Sequence, residues 1–221
     1  MDGVNPLFRL RGVRFAYDSA HTVLNGVDFE LIPHERVALI GPNGCGKTTL
    51  LHLMVGLHKP AAGEIQAFGK VRRTEEDFQE VRARAGLLFQ DPDDQLFCPT
   101  VAEDIAFGPL NLGKTRQEAL AIVHETLALL GLSGFENRIT YKLSGGEKRL
   151  VSLAAVLAMQ PEALLLDEPT NALDLPTHRR LLQILQTLPQ AMVIISHDQD
   201  CLAALATRSL AMAEGRLSAQ P

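Results

Sequence analysis

The chain has 221 residues, of which 46% are hydrophobic and 21% are charged, and its formal net charge is −5. This composition is typical of a globular protein with one large domain, and the acidic balance argues against nucleic acid as a partner, because binding to phosphates needs a basic face. No apolar run approaches the roughly 18 residues of a membrane-spanning helix, and residues 1–10 lack the apolar region of a signal peptide, so we expect the chain by itself to be cytosolic.

The first ninety residues favour β-strands with one helix among them. Polar and apolar side chains nearly alternate in the first two predicted strands, and a Gly-rich loop follows the third. The helix after this loop is expected to stop near Gly56, with Pro60 beyond it. The predicted strands are residues 7–17, 27–32, 36–40, 64–68 and 85–89, and the predicted helix is residues 47–57.

The remainder of the chain is first helical and then alternates between strands and helices. Leu120, Val123, Leu127 and Leu130 recur at spacings of three and four, which predicts a single buried helix face. The predicted helices are residues 101–107, 116–130, 144–160, 177–188 and 198–206, and the predicted strands are residues 163–166, 191–195 and 209–213. Alternating strands and helices predict an α/β core with a mainly parallel sheet covered on both faces, interrupted by a helical segment at residues 91–157.

A Gly-rich loop at residues 41–48 has the spacing G-x-x-x-x-G-K-[ST] between a predicted strand and a predicted helix. Its glycines let successive N–H groups point towards phosphates, and the following helix adds its positive N-terminal end. Lys47 would reach the β- and γ-phosphates of a nucleotide and Thr48 would ligate Mg²⁺; the alternative is a Gly-rich turn with an incidental lysine. The expected nucleotide-binding residues are Gly41, Pro42, Asn43, Gly44, Cys45, Gly46, Lys47, Thr48 and Thr49.

Polar side chains follow two further predicted strands. Asp167 and Glu168 end an apolar run, and the carboxyl ends of strands in open α/β sheets face the ligand crevice. Asp167 suits the Mg²⁺ shell and Glu168 suits the base that polarises an attacking water, with a solvated strand end as the alternative. His197 follows the next strand and would contact the γ-phosphate or that water, although a lone histidine is more often structural.

A second Gly-rich helix start runs from Leu143 to Glu147. Ser144 and the N–H groups of Gly145 and Gly146 could form another anion site without a lysine. An ordinary helix cap explains the same residues equally well, because Ser followed three residues later by Glu is a common capping pattern. The residues alone leave both interpretations open.

In their order along the chain, these motifs resemble those of ABC ATPases, and the resemblance extends from Leu7 to about Leu217. It is carried by the phosphate loop, Gln90, residues 143–147, residues 164–168, Asn171 to Asp174, and His197. The resemblance implies ATP hydrolysis with Mg²⁺ by one domain of residues 1–221. It further implies a P-loop core of residues 1–90 and 158–221, an antiparallel β region near the N-terminus, and an inserted helical subdomain of residues 91–157.

The same resemblance implies roles for single residues. Tyr17 would stack on adenine, and Gln90 would act at the catalytic and Mg²⁺ centre and link it to a membrane partner. Lys47, Glu168 and His197 would join Gln90 as catalytic residues. Ser144, Gly145, Gly146 and Glu147 would contact ATP held by a second subunit, so that two copies of the chain, or the chain and a homologous ATPase, form a head-to-tail dimer around two ATP molecules.

Residues 90–97 and 101–113 resemble segments of the ATPases of energy-coupling-factor transporters, which import vitamins or cobalt and nickel ions. The early end of the chain favours the cobalt or nickel branch. This implies integral membrane subunits as partners and a peripheral location on the cytoplasmic face of the inner membrane. A vitamin importer, another ABC transporter and a soluble ABC ATPase are the alternatives.

Two further expectations concern short segments. Leu96, Phe97 and residues 107–112 are expected to form a docking surface for a helix of the membrane subunit, with packing inside the helical segment as an equal alternative. Cys45 is expected to be reactive, because a neighbouring lysine and a helix N-terminus stabilise a thiolate; a buried space-filler is its alternative. Cys98 and Cys201 lie far from it in the sequence, which argues against a disulfide framework or a zinc site.

Overall fold

The protein is described by a computed structural model that covers residues 5–18 and 21–219, so the outermost residues of the predicted domain lie outside the described part. The described residues form ten strands and seven α-helices. The strands are β1 (Phe8–Ala16), β2 (Thr22–Leu31), β3 (Arg36–Ile40), β4 (Ala62–Ala67), β5 (Lys70–Val71), β6 (Ala85–Leu88), β7 (Ala163–Asp167), β8 (Ala191–Ile195), β9 (Arg208–Ala213) and β10 (Arg216–Ala219). The helices are α1 (Lys47–Met54), α2 (Glu75–Arg84), α3 (Val101–Asn111), α4 (Arg116–Leu129), α5 (Gly145–Leu157), α6 (Leu175–Thr187) and α7 (Gln199–Leu205).

The strands build two sheets. An antiparallel sheet has the order β2-β1-β4-β5, and a larger sheet has the order β10-β9-β3-β8-β7-β6. In the larger sheet β9, β3, β8, β7 and β6 are parallel, and only β10 pairs in the antiparallel sense. The predicted α/β fold with a mainly parallel sheet, an N-terminal antiparallel region and a helical insertion is therefore confirmed.

The larger sheet separates two hydrophobic cores. Alternate side chains of a strand point to opposite faces, so Leu164 and Leu166 of β7 pack on the side of α3 to α7, whereas Leu165 packs on the side of α1 and the antiparallel sheet. Every residue of β7 and β8 is buried. Double burial explains why these strands are continuous apolar runs in the sequence.

The helical insertion connects β6 to β7 and contains α3, α4 and α5. Thr100, Thr115 and Ser144 each cap one of these helices through a reciprocal capping box, which satisfies backbone groups that a helix start leaves free. In α4 the buried face is centred on Ala119, Val123 and Leu127, while the predicted Leu120 is exposed. The predicted face was therefore wrong by one residue at its first position.

Several elements differ from the predictions. α2 lies where no helix was predicted, β2 begins at Thr22, five residues earlier than expected (27 − 22), and β5 and β10 were not predicted. Within residues 5–18 and 21–219, no helix has both the length and the apolar character needed to cross a bilayer.

Candidate nucleotide site

The Gly-rich loop joins the end of β3 to the start of α1. Gly46 has a φ of 107°, and a Cβ there would lie 2.7 Å from Leu24 Cδ2, so both conformation and space favour glycine. The Lys47 ammonium is directed back into the loop, where it donates to the carbonyls of Gly41 at 2.7 Å and Pro42 at 3.0 Å. The lysine is thus held against the loop whose N–H groups would bind the phosphates.

A cavity of about 530 Å³ lies in front of this loop. It brings together most of the residues that the sequence predicted for one nucleotide site, although they come from distant parts of the chain. Gly41, Pro42 and Cys45 belong to the loop without lining the cavity, and Cys45 is partly buried against the core on the antiparallel-sheet side. The lining residues are Tyr17, Val23, Asn43, Gly44, Gly46, Lys47, Thr48, Thr49, Gln90, Asp167, Glu168, Asn171, Ile195 and His197.

Oxygen-bearing side chains meet at one end of the cavity. Burial raises the pKa of Asp167, while a hydrogen bond with the Thr48 hydroxyl and the charge of Lys47 oppose that rise. Thr48, Asp167 and the amide of Gln90 line the same cavity, and hard oxygen ligands completed by phosphate and water are what Mg²⁺ prefers. This donor set fits Mg²⁺ held together with a nucleotide; no group of three or more His, Cys, Asp and Glu side chains in the described part of the chain could hold a metal by itself.

Glu168 and His197 form a second polar pair beside the loop. The backbone N–H of His197 donates to Glu168 Oε2 at 3.3 Å, and His197 Nε2 lies 3.5 Å from Glu168 Oε1 and 2.9 Å from Asn43 Oδ1. The carboxylate and the imidazole thus face the same space as the phosphate loop. This arrangement can orient and polarise a water beside a terminal phosphate.

Tyr17 lies at the mouth of the cavity and is 61% exposed. Its hydroxyl is 3.0 Å from Thr49 Oγ1, and its ring contacts Phe15 edge-on at 4.9 Å between centroids. Most of the residue stays exposed while the phenol is held in place, which suits an aromatic side chain that stacks on a planar base.

The Ser144 loop lies apart from this cavity. Ser144 accepts a hydrogen bond from the Glu147 N–H at 3.3 Å, and Glu147 accepts one from the Ser144 N–H at 2.8 Å, so these residues form the helix cap that the sequence allowed. Ser144 and Gly145 are exposed, and Gly145 lines a separate cavity of about 460 Å³, shared with Gln90 and Asn171. None of residues 144–147 reaches the nucleotide cavity of its own chain.

Sequence reasoning missed three kinds of residue at this site. Val23 and Ile195 line the cavity, but apolar side chains carry no chemical signal in a sequence. Asn171 lines both cavities, whereas the sequence indicates only the motif that contains it. Arg149 holds the backbone of Gln90 from behind, and its position in the Lys-Arg-Leu run of α5 gives no indication of burial.

Comparison with known proteins places these observations in a family. Residues 24–171 match the family model described as ABC transporter. A protein of Brucella suis, named as a candidate ABC transporter ATP-binding protein, is 55% identical over 214 residues, which cover 97% of this chain and 89% of that protein. The energy-coupling factor transporter ATP-binding protein EcfA of Methanothermobacter thermautotrophicus is 42% identical over 218 residues, covering 97% of this chain and 70% of that protein.

Solved structures agree with the sequence matches. CbiO1 from Clostridium perfringens, described as part of the ABC transporter complex CbiONQ, has a TM-score of 0.85 at 30% identity, covering 97% of this chain and 87% of that one. A dimeric ATP-binding cassette in a post-hydrolysis state with ADP and phosphate has a TM-score of 0.87 at 25% identity, covering 96% of both chains. Because the family match includes the phosphate loop and continues through the paired carboxylates at the end of β7, this chain belongs to the ABC transporter family and is an ATP-hydrolysing subunit of that family.

Proposed function

We propose that this chain powers an importer of the energy-coupling-factor type whose cargo is cobalt or nickel ions. The observation that carries the proposal is the position of residues 90–97. At one end of this segment Gln90 lines the nucleotide cavity, and at the other end Phe97 lines an apolar groove. The same segment resembles those of energy-coupling-factor ATPases, and likeness to EcfA and to CbiO1 supports the same class. A vitamin importer of this class is the alternative.

In the proposed mechanism the chain binds one ATP molecule in the cavity. Tyr17 stacks on the base, while Lys47 and the N–H groups of the loop hold the phosphates. Thr48, Asp167 and Gln90 would hold Mg²⁺, which when bound neutralises charge on the phosphate oxygens. The Glu168 carboxylate polarises the attacking water, and His197 orients that carboxylate relative to the terminal phosphate.

ATP also brings two subunits together in this proposal. Ser144 and Gly145 are exposed and separate from the cavity of their own chain, so they are free to contact ATP on a second copy or a homologous ATPase. A swing from almost all open to almost all closed needs about 5.5 kcal/mol of differential binding. Hydrogen bonds to charged groups contribute about 1.5–3 kcal/mol each, so a few contacts to the terminal phosphate suffice, and hydrolysis removes them.

The apolar groove supports docking of a membrane subunit. It has a volume of about 360 Å³, and its rim carries Phe97, 66% exposed, in edge contact with Phe107 at 4.8 Å between ring centroids. Leu110 and Leu112 are also exposed nearby in sequence, whereas Leu96 is buried in the core, so the expectation of a docking role for Leu96 was wrong. We assign the groove to a short helix of an integral membrane subunit. This would hold residues 91–157, as a helical subdomain, against the cytoplasmic face of the inner membrane, and residues 1–90 and 158–221 would form the nucleotide-binding core.

The substitution Phe97→Asp tests the docking assignment. A charge on the groove rim should abolish co-purification with membrane subunits and ion uptake, while the ATPase activity of the isolated subunit stays near that of the wild type. Leu129→Asp is the matched control, because Leu129 is 56% exposed on α4 and does not line the groove. Unfolding of Phe97→Asp alone would show that Phe97 serves the core. Equal loss of uptake in both variants would show that the groove is not the docking site.

The cargo is tested separately. Cells that express the chain with its membrane subunits should accumulate ⁵⁷Co or ⁶³Ni in an ATP-dependent manner, and Glu168→Gln should abolish that accumulation. Uptake of a vitamin in place of either metal would contradict the cargo and favour the alternative importer.

A further inference from the structure

Arg149 is a buried cation whose hydrogen bonds go to backbone carbonyls. It lies in α5 shortly after the Ser144 loop, and 2% of its surface is exposed. One guanidinium nitrogen donates to the carbonyl of Phe89 at 2.6 Å and the other to the carbonyl of Gln90. Its Nε has no hydrogen-bond partner among the described residues, and none of their carboxylates lies within ion-pair distance of it.

This arrangement is costly for a side chain that only fills space. Burying a charge without a carboxylate in direct contact is unfavourable. Burial lowers the pKa of Arg149, and the more distant charges of Asp91, Asp167 and Glu168 offset only part of that shift. Arg72 offers a contrast, because it is equally buried but pairs with Glu80 at 2.8 Å. An apolar side chain at position 149 would fill the same volume without the free-energy penalty of burying a charge. What the guanidinium adds is a rigid fork that grips two consecutive carbonyls.

Other contacts tie the same segment to α5. Lys148 Nζ lies 2.5 Å from Asp93 Oδ1, and Gln95 Nε2 donates to the carbonyl of Ser152 at 3.0 Å. Residues 89–95 are thus fastened to residues 148–152 of the helix that begins at the Ser144 loop. Arg149 is the buried member of this set and the one that holds Gln90 itself.

We propose that Arg149 is a positioning residue that fixes Gln90 to α5, so that the Gln90 amide reaches the nucleotide cavity when the Ser144 end of α5 is in place. The proposal rests on the assigned place of Gln90 at the Mg-ATP centre. The position of α5 would then have two effects. It would bring the Ser144 loop to the ATP of the partner subunit, and it would bring Gln90 into the nucleotide cavity of its own subunit. Arg149 itself does not line the nucleotide cavity.

The test compares Arg149→Met with Arg149→Lys and with Arg116→Met, an exposed arginine of α4 that serves as control. Misplacing a catalytic group by about 1 Å lowers rates by up to roughly 100-fold, so we expect Arg149→Met to lower kcat by roughly 10- to 100-fold. Its equilibrium affinity for ATP should stay unchanged, because Lys47 and the loop are intact. Amide hydrogen exchange should increase in residues 89–95 and remain slow in residues 145–157.

Arg149→Lys separates positioning from charge. The ammonium keeps the positive charge but lacks the fork that spans two carbonyls, so its kcat should fall between those of the wild type and Arg149→Met. If Arg149→Met does not fold, Arg149→Lys decides, and a wild-type kcat in that variant overturns the proposal. A loss of ATP affinity in proportion to kcat, or unchanged exchange in residues 89–95, overturns it as well. Absence of Mg-dependent ATPase activity in the wild type would instead refute the proposed function of the nucleotide site. Hydrogen exchange in residues 89–95 does not depend on turnover, so it tests the contact of Arg149 with this segment separately.

Discussion

Glu168 adopts a backbone conformation that few residues other than glycine adopt. Its φ is 46°, its N–H donates to the carbonyl of Ile195 at 2.9 Å, and its own carbonyl accepts from the Asn171 N–H at 3.1 Å. A non-glycine residue held in this region costs about 1–3 kcal/mol and persists when surrounding contacts enforce it. The turn takes the carboxylate out of the line of β7 and directs it at His197, so backbone strain contributes to the geometry of the site.

The substitution Glu168→Gln should keep ATP binding and reduce hydrolysis by at least roughly 100-fold. The amide keeps the shape of the side chain but loses the charge that polarises water. The variant should accumulate as an ATP-dependent dimer, because the contacts to the terminal phosphate persist. Gel filtration with and without Mg-ATP and a phosphate-release assay measure both effects.

The control for this variant is Glu214→Gln, which makes the same change at an exposed glutamate with a φ of 50°. It should hydrolyse ATP like the wild type. Normal turnover in Glu168→Gln would remove Glu168 from the catalytic role.

Cys45 should be alkylated faster than the other two cysteines, and Mg-ATP should slow its modification. Burial and the charge of Asp104 raise the pKa of Cys98 to about 11, and burial and the charge of Asp198 raise that of Cys201 to about 11. Both references therefore hold little thiolate at pH 8. Alkylation at pH 8 followed by mass spectrometry gives the three rates. Cys45 packs only partly against the core, so a Cys45 rate that does not depend on nucleotide, or that is slower than both reference rates, would show that its side chain only fills space.

At the residue scale, the sequence predicted the part of the site whose chemistry follows from strand ends and glycine spacing. Lys47, Asp167 and His197 could be grouped in advance because the carboxyl ends of parallel strands meet at one edge of the sheet, and they line one cavity. Arg149 could not be found in this way. Its importance comes from burial and from the carbonyls it contacts, and both depend on tertiary packing.

At the scale of elements, the strands with two buried faces were the easiest to predict and the sparsely buried elements the hardest. β7 and β8 are continuous apolar runs, and the predicted bounds agree within one residue. α2 escaped prediction because only Phe78 and Val81 are buried in it, which leaves no apolar stripe to recognise. β2 was predicted too short because Gly26, with a φ of 78° at an irregular register, is typical of a turn in a sequence.

α2 is fastened to the antiparallel sheet by an ion pair whose strength depends on pH. Hydrogen bonds from Arg72 and Lys70 lower the pKa of Glu80 from 4.5 to about 2. A carboxylate whose pKa is lower in the folded state stabilises the fold above pH 4.5, and this contribution is lost as the pH falls towards about 2. Glu80→Gln should therefore lower the unfolding midpoint at pH 7, and the difference from the wild type should shrink as the pH falls below 4.5.

Urea denaturation between pH 7 and pH 3 measures this dependence, and Glu76→Gln, an exposed change in the same helix, serves as control. A difference between wild type and Glu80→Gln that stays constant over the whole range would contradict the ion-pair explanation.

For the whole molecule, the separation of the Ser144 loop from the nucleotide cavity predicts that two chains share each active site. Ser144→Arg should block closure of the dimer and spare ATP binding, because its side chain would occupy the place of the partner's phosphate. Lys47→Ala should abolish ATP binding in its own chain. A mixed dimer of these variants has one site with both lesions and one with neither, so an equal mixture should recover about a quarter of wild-type ATPase activity by random pairing.

The mixing experiment needs each variant alone as its baseline, at the same total protein concentration. No recovery at any mixing ratio would show either that each chain uses its own Ser144 loop or that both sites must be intact together. Titration of one inactive variant into wild type separates these two outcomes, because obligate coupling of the sites makes the loss of activity steeper than linear.

The parallel pairing of β6 with β7 has a consequence for how such a protein can vary. Neighbouring parallel strands must be joined by a crossover that returns from the carboxyl end of one strand to the amino end of the next. α5 makes that return, starting beside Gln90 and ending before β7. α3 and α4 are elaborations of this connection, and they could be enlarged, exchanged or pared down among relatives. α5 could not be deleted without unlinking the sheet. Its N-terminus must also begin at the carboxyl ends of the strands, as those of α1, α6 and α7 do. The topology that closes the fold therefore brings several helix starts to the side where phosphates bind. Among them are α1, which follows the phosphate loop, and α5, whose exposed Ser144 and Gly145 are available to a neighbour.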